Sequence, residues 1–215
     1  MNRLKRIFLW SQIFSIIALL ALFTFAITIY PEPKPYPNHI HSTLYLDRNF
    51  DDFEQEAITK AALEWTSTTN HIVEFDIVQL PAHEKIDIAY AVIITKVSPD
   101  YPNVIILDAE NGDNTLGYYD RNSVIPHIAL VTDRLKDDKY SSVVLHELGH
   151  SLGLEHLEGS ENLDTLMYPY VNIIVNGISL PAGSDHITLK DGQKFCKLYH
   201  CDPMKLKYQE EPFHF

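Results

Sequence analysis

An α+β fold is predicted by two patterns: three stretches in which apolar residues recur at three- and four-residue spacing, and several short runs rich in β-branched and aromatic residues. In chain order, Ser42–Phe50 alternates Leu44 and Leu46 and reads as a first strand. Asp51 or Asn49 can cap the helix after it, in which Phe53, Ala57, Ile58, Ala61, Ala62 and Trp65 share a face and Trp65 is expected in the core. His71–Leu80 and Lys85–Ile94, separated by Pro81, give two more strands. Ser98–Asn114 carries Pro, Asp, Asn and Gly at its ends and reads as a long loop, within which Val104–Leu107 could form a short strand. Thr115–Arg121 and His127–Asp133 are two further strands, and Lys139–Leu152 is a helix that packs through Val143, Val144, Leu145 and Leu148. A loop-rich stretch then leads to a last helix, opened by Thr188 and Asp191 in a capping-box relation, with Phe195, Leu198 and Tyr199 on one side. Residues 202–215 are polar and aromatic without periodicity and form a tail or a strap over the domain.

The 215 residues have room for one domain of ordinary size plus attachments, and an apolar fraction of 46% allows a sizeable core. A formal net charge of −12 argues against binding nucleic-acid phosphates and for a solvated acidic surface. Ile7 to Tyr30 is uncharged and mostly apolar, and it follows the basic residues Arg3, Lys5 and Arg6. As a helix this stretch spans about 36 Å, enough to cross a hydrocarbon core of about 30 Å. A signal anchor is expected over residues 1–30, its N-terminus kept in the cytoplasm by the basic cluster and the rest of the chain carried to the far side. A cleaved signal peptide ending near Thr24-Phe25-Ala26, and hence a secreted domain, is the alternative. Pro31, Pro33, Pro35 and Pro37 make residues 31–42 a stiff polyproline-II stalk reaching roughly 30 Å. The chain thus divides into an anchor (1–30), a stalk (31–42), one folded domain (43–201) and a C-terminal segment (202–215), with a monomer expected.

The chemistry concentrates in His146 to His156, which reads HELGHSLGLEH. Residues four apart on a helix lie on one face with Cβ atoms about 5–6 Å apart, so His146 and His150 can point at one metal ion. Glu147 is rotated about 100° around the helix and falls beside that ion, in a general-base position. Gly153 can take the positive φ that ends the helix and turns the chain back, and the turn lets His156 serve as a third ligand. Three histidines with one open position are the arrangement of a catalytic zinc rather than a structural one.

With these residues the chain resembles the metzincin clan of zinc endopeptidases, whose signature is HExxHxxGxxH followed by a methionine-containing turn. Leu166 to Tyr170 reads LMYPY, and Met167 fits the turn methionine; the Met-Tyr-Pro order is similar to that of the matrixins, the matrix metalloproteinases. Ala57, Ala61 and Trp65 also resemble the AxxxAxxxW pattern of the matrixin N-terminal half. The resemblance implies a twisted, mostly parallel five-stranded sheet with an antiparallel edge strand, packed on two long helices, plus a loop-rich C-terminal part with one helix. It implies hydrolysis of peptide bonds in a protein or peptide substrate by a zinc-activated water, with Glu147 as base and His146, His150 and His156 as ligands. The fourth strand is then the edge to which substrate adds, which makes Leu116 and Gly117 the substrate-binding candidates. Pro169 and Tyr170 would wall the pocket for the side chain after the scissile bond.

Departures from that pattern shape the remaining expectations. No counterpart of the matrixin propeptide cysteine precedes the first strand, so latency by that route is not expected. The histidine set of a second zinc is not traceable, and Asp108, Glu110, Asn111, Asp113 and Asn114 read as a solvated loop without a clear calcium motif. Cys196 and Cys201 are the only cysteines; a disulfide between them needs the last helix to end near Tyr199, and two free thiols are the alternative. A non-catalytic exported zinc-binding interaction module is the rival reading, and Glu147 speaks against it.

Overall fold

The computed structural model describes residues 39–80, 91–97, 116–132, 135, 137–170, 172–175 and 178–208. The expected anchor, most of the stalk, the start of the third strand, the loop with its oxygen-rich residues and residues 209–215 lie outside the described residues. No helix among the described residues is long and apolar enough to cross a membrane.

Among the described residues, seven strands and three α-helices follow in order: β1 (Ile40–Leu46), α1 (Asp52–Thr68), β2 (Val73–Gln79), β3 (Ala91–Val97), β4 (Gly117–Asp120), β5 (His127–Val131), α2 (Asp137–Ser151), β6 (Asn172–Val175), β7 (Ile178–Pro181) and α3 (Leu189–Tyr199). Five strands form one sheet in the order β2-β1-β3-β5-β4. All neighbours run parallel except β4, which lies antiparallel to β5 at the sheet edge. This is the α+β architecture expected, including the antiparallel edge. β1 begins two residues earlier and ends at Leu46 rather than Phe50, because Asp47 turns the chain by accepting the Asn49 N–H at 3.1 Å. β3 runs on past Ile94 to Val97, held by register with β5 from Ile93↔His127 to Val97↔Val131.

α1 starts where its cap demands. Asp51 Oδ1 accepts the Glu54 N–H at 2.9 Å, and Glu54 Oε2 accepts the Asp51 N–H at 2.8 Å. Closing this box turns Glu54 inward, where its carboxylate also meets Lys96 Nζ at 2.8 Å. Phe53, expected on the buried face, is therefore rotated outward: it is 47% exposed and lies edge-on to Tyr140. Ala57, Ala61 and Ala62 keep the buried face of α1 small, and Trp65 fills the space they leave, with its indole N–H donating to the Leu145 carbonyl of α2 at 2.9 Å. One apolar core joins Leu44, Leu46 and Ile94 of the sheet to Ile58, Val144, Leu148, Met167 and Phe195.

The C-terminal part holds one feature that was not expected and one of the two readings the sequence left open. β6 and β7 form an antiparallel two-stranded hairpin within the stretch read as loop. Residues 203–208 are a strap: Leu206 is buried, the Lys207 N–H donates to the Thr68 carbonyl at 2.8 Å, and the Tyr208 hydroxyl donates to the Pro203 carbonyl at 2.9 Å. α3 ends at Tyr199, and His200 takes the left-handed conformation (φ 54, ψ 37), which brings the Cys201 N–H back to the Cys196 carbonyl at 3.1 Å. Cys196 and Cys201, with Cα atoms 4.5 Å apart, are joined in a disulfide.

Candidate active site

α2 brings three of the singled-out residues to one end of the core. Helical spacing puts His146 and His150 on one face, and Gly153 ends the helix with φ +85, so that the Gly153 N–H reaches the His150 carbonyl and the Leu154 N–H reaches the Gly149 carbonyl. The reversed chain then supports the ring it has just left, since His150 Nδ1 donates to the Leu154 carbonyl at 2.8 Å. His146 Nδ1 donates to the Leu166 carbonyl at 2.7 Å. Both hydrogen bonds assign the proton to Nδ1 and leave Nε2 with its lone pair.

His156 closes the group, with its Nε2 3.3 Å from that of His146 and 3.1 Å from that of His150. At most one of these contacts could share a proton, which leaves lone pairs facing each other unless a cation lies between them. A tetrahedral zinc with Zn–N bonds of about 2.0–2.1 Å holds its nitrogens about 3.3 Å apart, so the observed spacing fits that ion. Burial is the largest cause that keeps all three rings from protonating: it holds His146 down to about 3 with help from His150 and His156, and it holds His150 and His156 below the usual imidazole range. The neutral form favoured here is the one that binds metal.

Glu147 lies on the same helix, 5% exposed, with Oε2 buried and without a hydrogen-bond partner among the described residues. Burial pushes its carboxyl up to about 8. Above it, β4 comes so close that a Cβ on Gly117 would lie 3.0 Å from Val143 Cγ1 and 3.2 Å from Glu147 Cγ and Oε1. Gly117 thus lies against the acid, whereas Leu116 is partly buried in the core and its carbonyl accepts the Val131 N–H at 2.9 Å.

Below the rings, Met167 is fully buried against Gly149; a Cβ there would be 2.5 Å from Met167 Sδ. The Met167 carbonyl accepts the N–H of Leu157, the residue after His156, at 2.8 Å. Pro169 is half-buried, and Tyr170 is exposed with its ring edge-on to Tyr168.

Two residues at this site carried a different meaning in the sequence. Asp191, read as a cap, is fully buried and also accepts the N–H groups of Leu166 and Met167, each at 3.0 Å. Gly149, a position the zinc signature leaves open, is fixed by the methionine beneath it. Neither role has a local signal, because each partner is distant in the chain.

Residues 43–190 match the model of the matrixin peptidase family. No curated protein matches the chain. Among solved structures, myroilysin is 14% identical, with a TM-score of 0.48 over 78% of this chain and 96% of that one. High choriolytic enzyme 1, a hatching enzyme zinc-protease from the medaka fish Oryzias latipes, is 15% identical, with a TM-score of 0.46 over 77% and 92%. Archaemetzincin from Methanopyrus kandleri is 12% identical, with a TM-score of 0.45 over 79% and 100%.

Proposed function

Because the chain belongs to the matrixin family and is a zinc metalloendopeptidase, we propose that His146, His150 and His156 hold the catalytic zinc and that Glu147 is the general base. The carrying observation is a carboxylate oxygen, Glu147 Oε2, buried without a hydrogen-bond partner among the described residues, on the helix that carries two of three imidazoles whose nitrogens converge. Zinc supplies Lewis acidity there toward the attacking water and the scissile carbonyl, and its charge favours the ionised Glu147 that burial alone disfavours. Glu147 takes the proton of the water at Oε2 and delivers it to the leaving amine nitrogen. The outer edge of β4 at Gly117 offers backbone groups to an extended substrate, with Leu116 before it turned to β5 through its carbonyl, while Pro169 and Tyr170 border the pocket for the residue after the cut bond. Ile7–Tyr30 anchors a monomeric domain on the outer side of the membrane, by a single pass with the N-terminus in the cytoplasm.

The test is digestion of a generic unfolded protein by the purified chain, with and without a zinc chelator, alongside Glu147→Gln. Cleavage should stop with the chelator and fall by roughly 10²–10⁴-fold in Glu147→Gln at unchanged zinc content. A zinc-loaded wild type that cleaves nothing under varied conditions would overturn the catalytic reading in favour of a binding module. Fractionation of cells producing the full chain tests the anchor: the protein should stay in the membrane pellet and be reached by protease added from outside.

A further inference from the structure

Asp191 carries more than a helix cap requires. As part of the α3 capping box, its Oδ2 accepts the Thr188 N–H at 2.9 Å and the Thr188 hydroxyl at 2.6 Å. A cap of that kind works at the surface, yet Asp191 is 0% exposed. Burying a carboxylate is costly unless every lone pair is used. Here the remaining capacity goes to the turn beneath the zinc ligands, with Leu166 N–H on Oδ2 and Met167 N–H on Oδ1.

One peptide group is decisive. The Leu166–Met167 peptide gives its N–H to Asp191 Oδ1 at 3.0 Å, and its carbonyl accepts His146 Nδ1–H at 2.7 Å. The described chain has no cis peptide bonds, so the N–H and C=O of this planar unit point in opposite directions, one to the carboxylate and the other to the ring. Hydrogen bonds in such a chain polarise one another, so a negative charge at one end strengthens the acceptor at the other. Metal-binding histidines commonly lean on a carboxylate directly, which raises their basicity and fixes their tautomer.

We propose that Asp191 is a positioning residue for His146, acting through the Leu166–Met167 peptide as a carboxylate–peptide–imidazole relay. Its charge raises the donor strength of His146 Nε2 and fixes the ring plane. The same turn reaches the third histidine, because the Met167 carbonyl holds the Leu157 N–H. Packing keeps the relay dry and in place: the Tyr208 ring seats on Gly192, where a Cβ would be 2.1 Å from its hydroxyl oxygen, and Met167 seats on Gly149. His150 leans on the Leu154 carbonyl instead, and so serves as an internal reference.

The inference rests on reading His146 as a zinc ligand, and the experiment separates the two. Zinc affinity of the full chain is measured by competition with a chromophoric chelator, and the Nδ1–H signals of His146 and His150 are followed by NMR in the zinc-loaded protein. Asp191→Asn should weaken zinc roughly 10–100-fold and shift the His146 signal while leaving that of His150 in place. Asp51→Ala, which breaks the other capping box away from the site, should lower the thermal midpoint but leave zinc affinity at the wild-type level. Asp191→Ser, with room for a water in place of the carboxylate, is the second variant should Asp191→Asn not fold, and it should weaken zinc in the same range. The proposal is overturned if the Asp191 variants bind zinc like the wild type, if both histidine signals move together, or if Asp51→Ala weakens zinc equally. A wild type that takes up no zinc would sink the metal-site reading instead.

Discussion

A methyl group added at Gly149 would lie 2.5 Å from Met167 Sδ and 3.3 Å from the Trp65 ring. The position between the two helical histidines is therefore set by what packs under it. Alanine there gains about 1 kcal/mol of helix propensity, but over-packing a filled core costs about 1–3 kcal/mol, so Gly149→Ala should lower stability on balance. Urea unfolding of the zinc-free protein checks this; an unchanged or higher midpoint would mean that Met167 moves aside freely. Glu64 is a second case in which burial decides. It is 7% exposed and accepts the Ile187 N–H at 3.0 Å, and burial holds its carboxyl above the ordinary value while that hydrogen bond pulls the other way. In the window from 4.5 up to the raised value the folded state binds more protons than the unfolded one, so this group's contribution to stability falls as pH rises through it. Glu64→Gln keeps the acceptor and removes the titration. The stability difference between wild type and variant should therefore shift in favour of the variant with increasing pH, and a difference that is flat with pH would refute the assignment. At this scale the sequence was legible where spacing alone fixes geometry, as for His146, Glu147, His150 and the positive φ of Gly153. It gave Asp191 as a cap but was silent on its second role, because the partners Leu166 and Met167 are brought to it only by the fold.

Among the elements, the start of α3 was readable because the capping box of Thr188 with Asp191 is complete within a few residues, whereas the sequence left Asp51 or Asn49 open as the cap of α1 and the structure closes the box at Asp51 with Glu54. The edge position of β4 followed from strand order and the resemblance, and its antiparallel register with β5 bears that out. The end of α3 was harder, because histidine seldom takes the left-handed conformation that His200 adopts and no glycine marks the stop. The β6–β7 hairpin was missed although Asn176-Gly177 lies between the two apolar runs, a dipeptide that favours tight hairpin turns. Phe53 was placed on the wrong side because apolarity was weighed and the inward pull on Glu54 was not. The disulfide ties the end of α3 to the strap across a separation of five residues. Loop-closure entropy for so short a ring suggests about 2 kcal/mol, so replacing both Cys196 and Cys201 by serine should lower the unfolding free energy by about that much. A loss well below 1 kcal/mol in denaturant titrations would show that the left-handed turn at His200 holds the strap without the bond.

For the domain as a whole, the question is whether the metal builds the fold or only adds to it. The apolar cluster runs from Leu44 in the sheet through Trp65, Leu148 and Phe195 to Leu206 in the strap without a break at the histidines. A chain that buries such a core does not need an ion to define it, unlike small zinc modules that unfold without metal. The proposed ligand set, by contrast, exists only in the folded state, because His156 meets His146 and His150 through the Gly153 turn and the contacts of Leu166 and Met167. Zinc should therefore stabilise by mass action: free zinc at a thousand times the dissociation constant adds about 4 kcal/mol, and the thermal midpoint should climb with the logarithm of free zinc. A chelator should return the midpoint to its metal-free value while the far-ultraviolet circular dichroism of the helices persists at room temperature. Glu147→Gln should retain the zinc-dependent climb, since Glu147 is read as the base and not as a ligand, whereas His150→Ala should flatten it. Complete loss of helical signal on chelation at room temperature would show that the ion is part of the core, and that the cluster from Leu44 to Leu206 cannot hold the chain unaided.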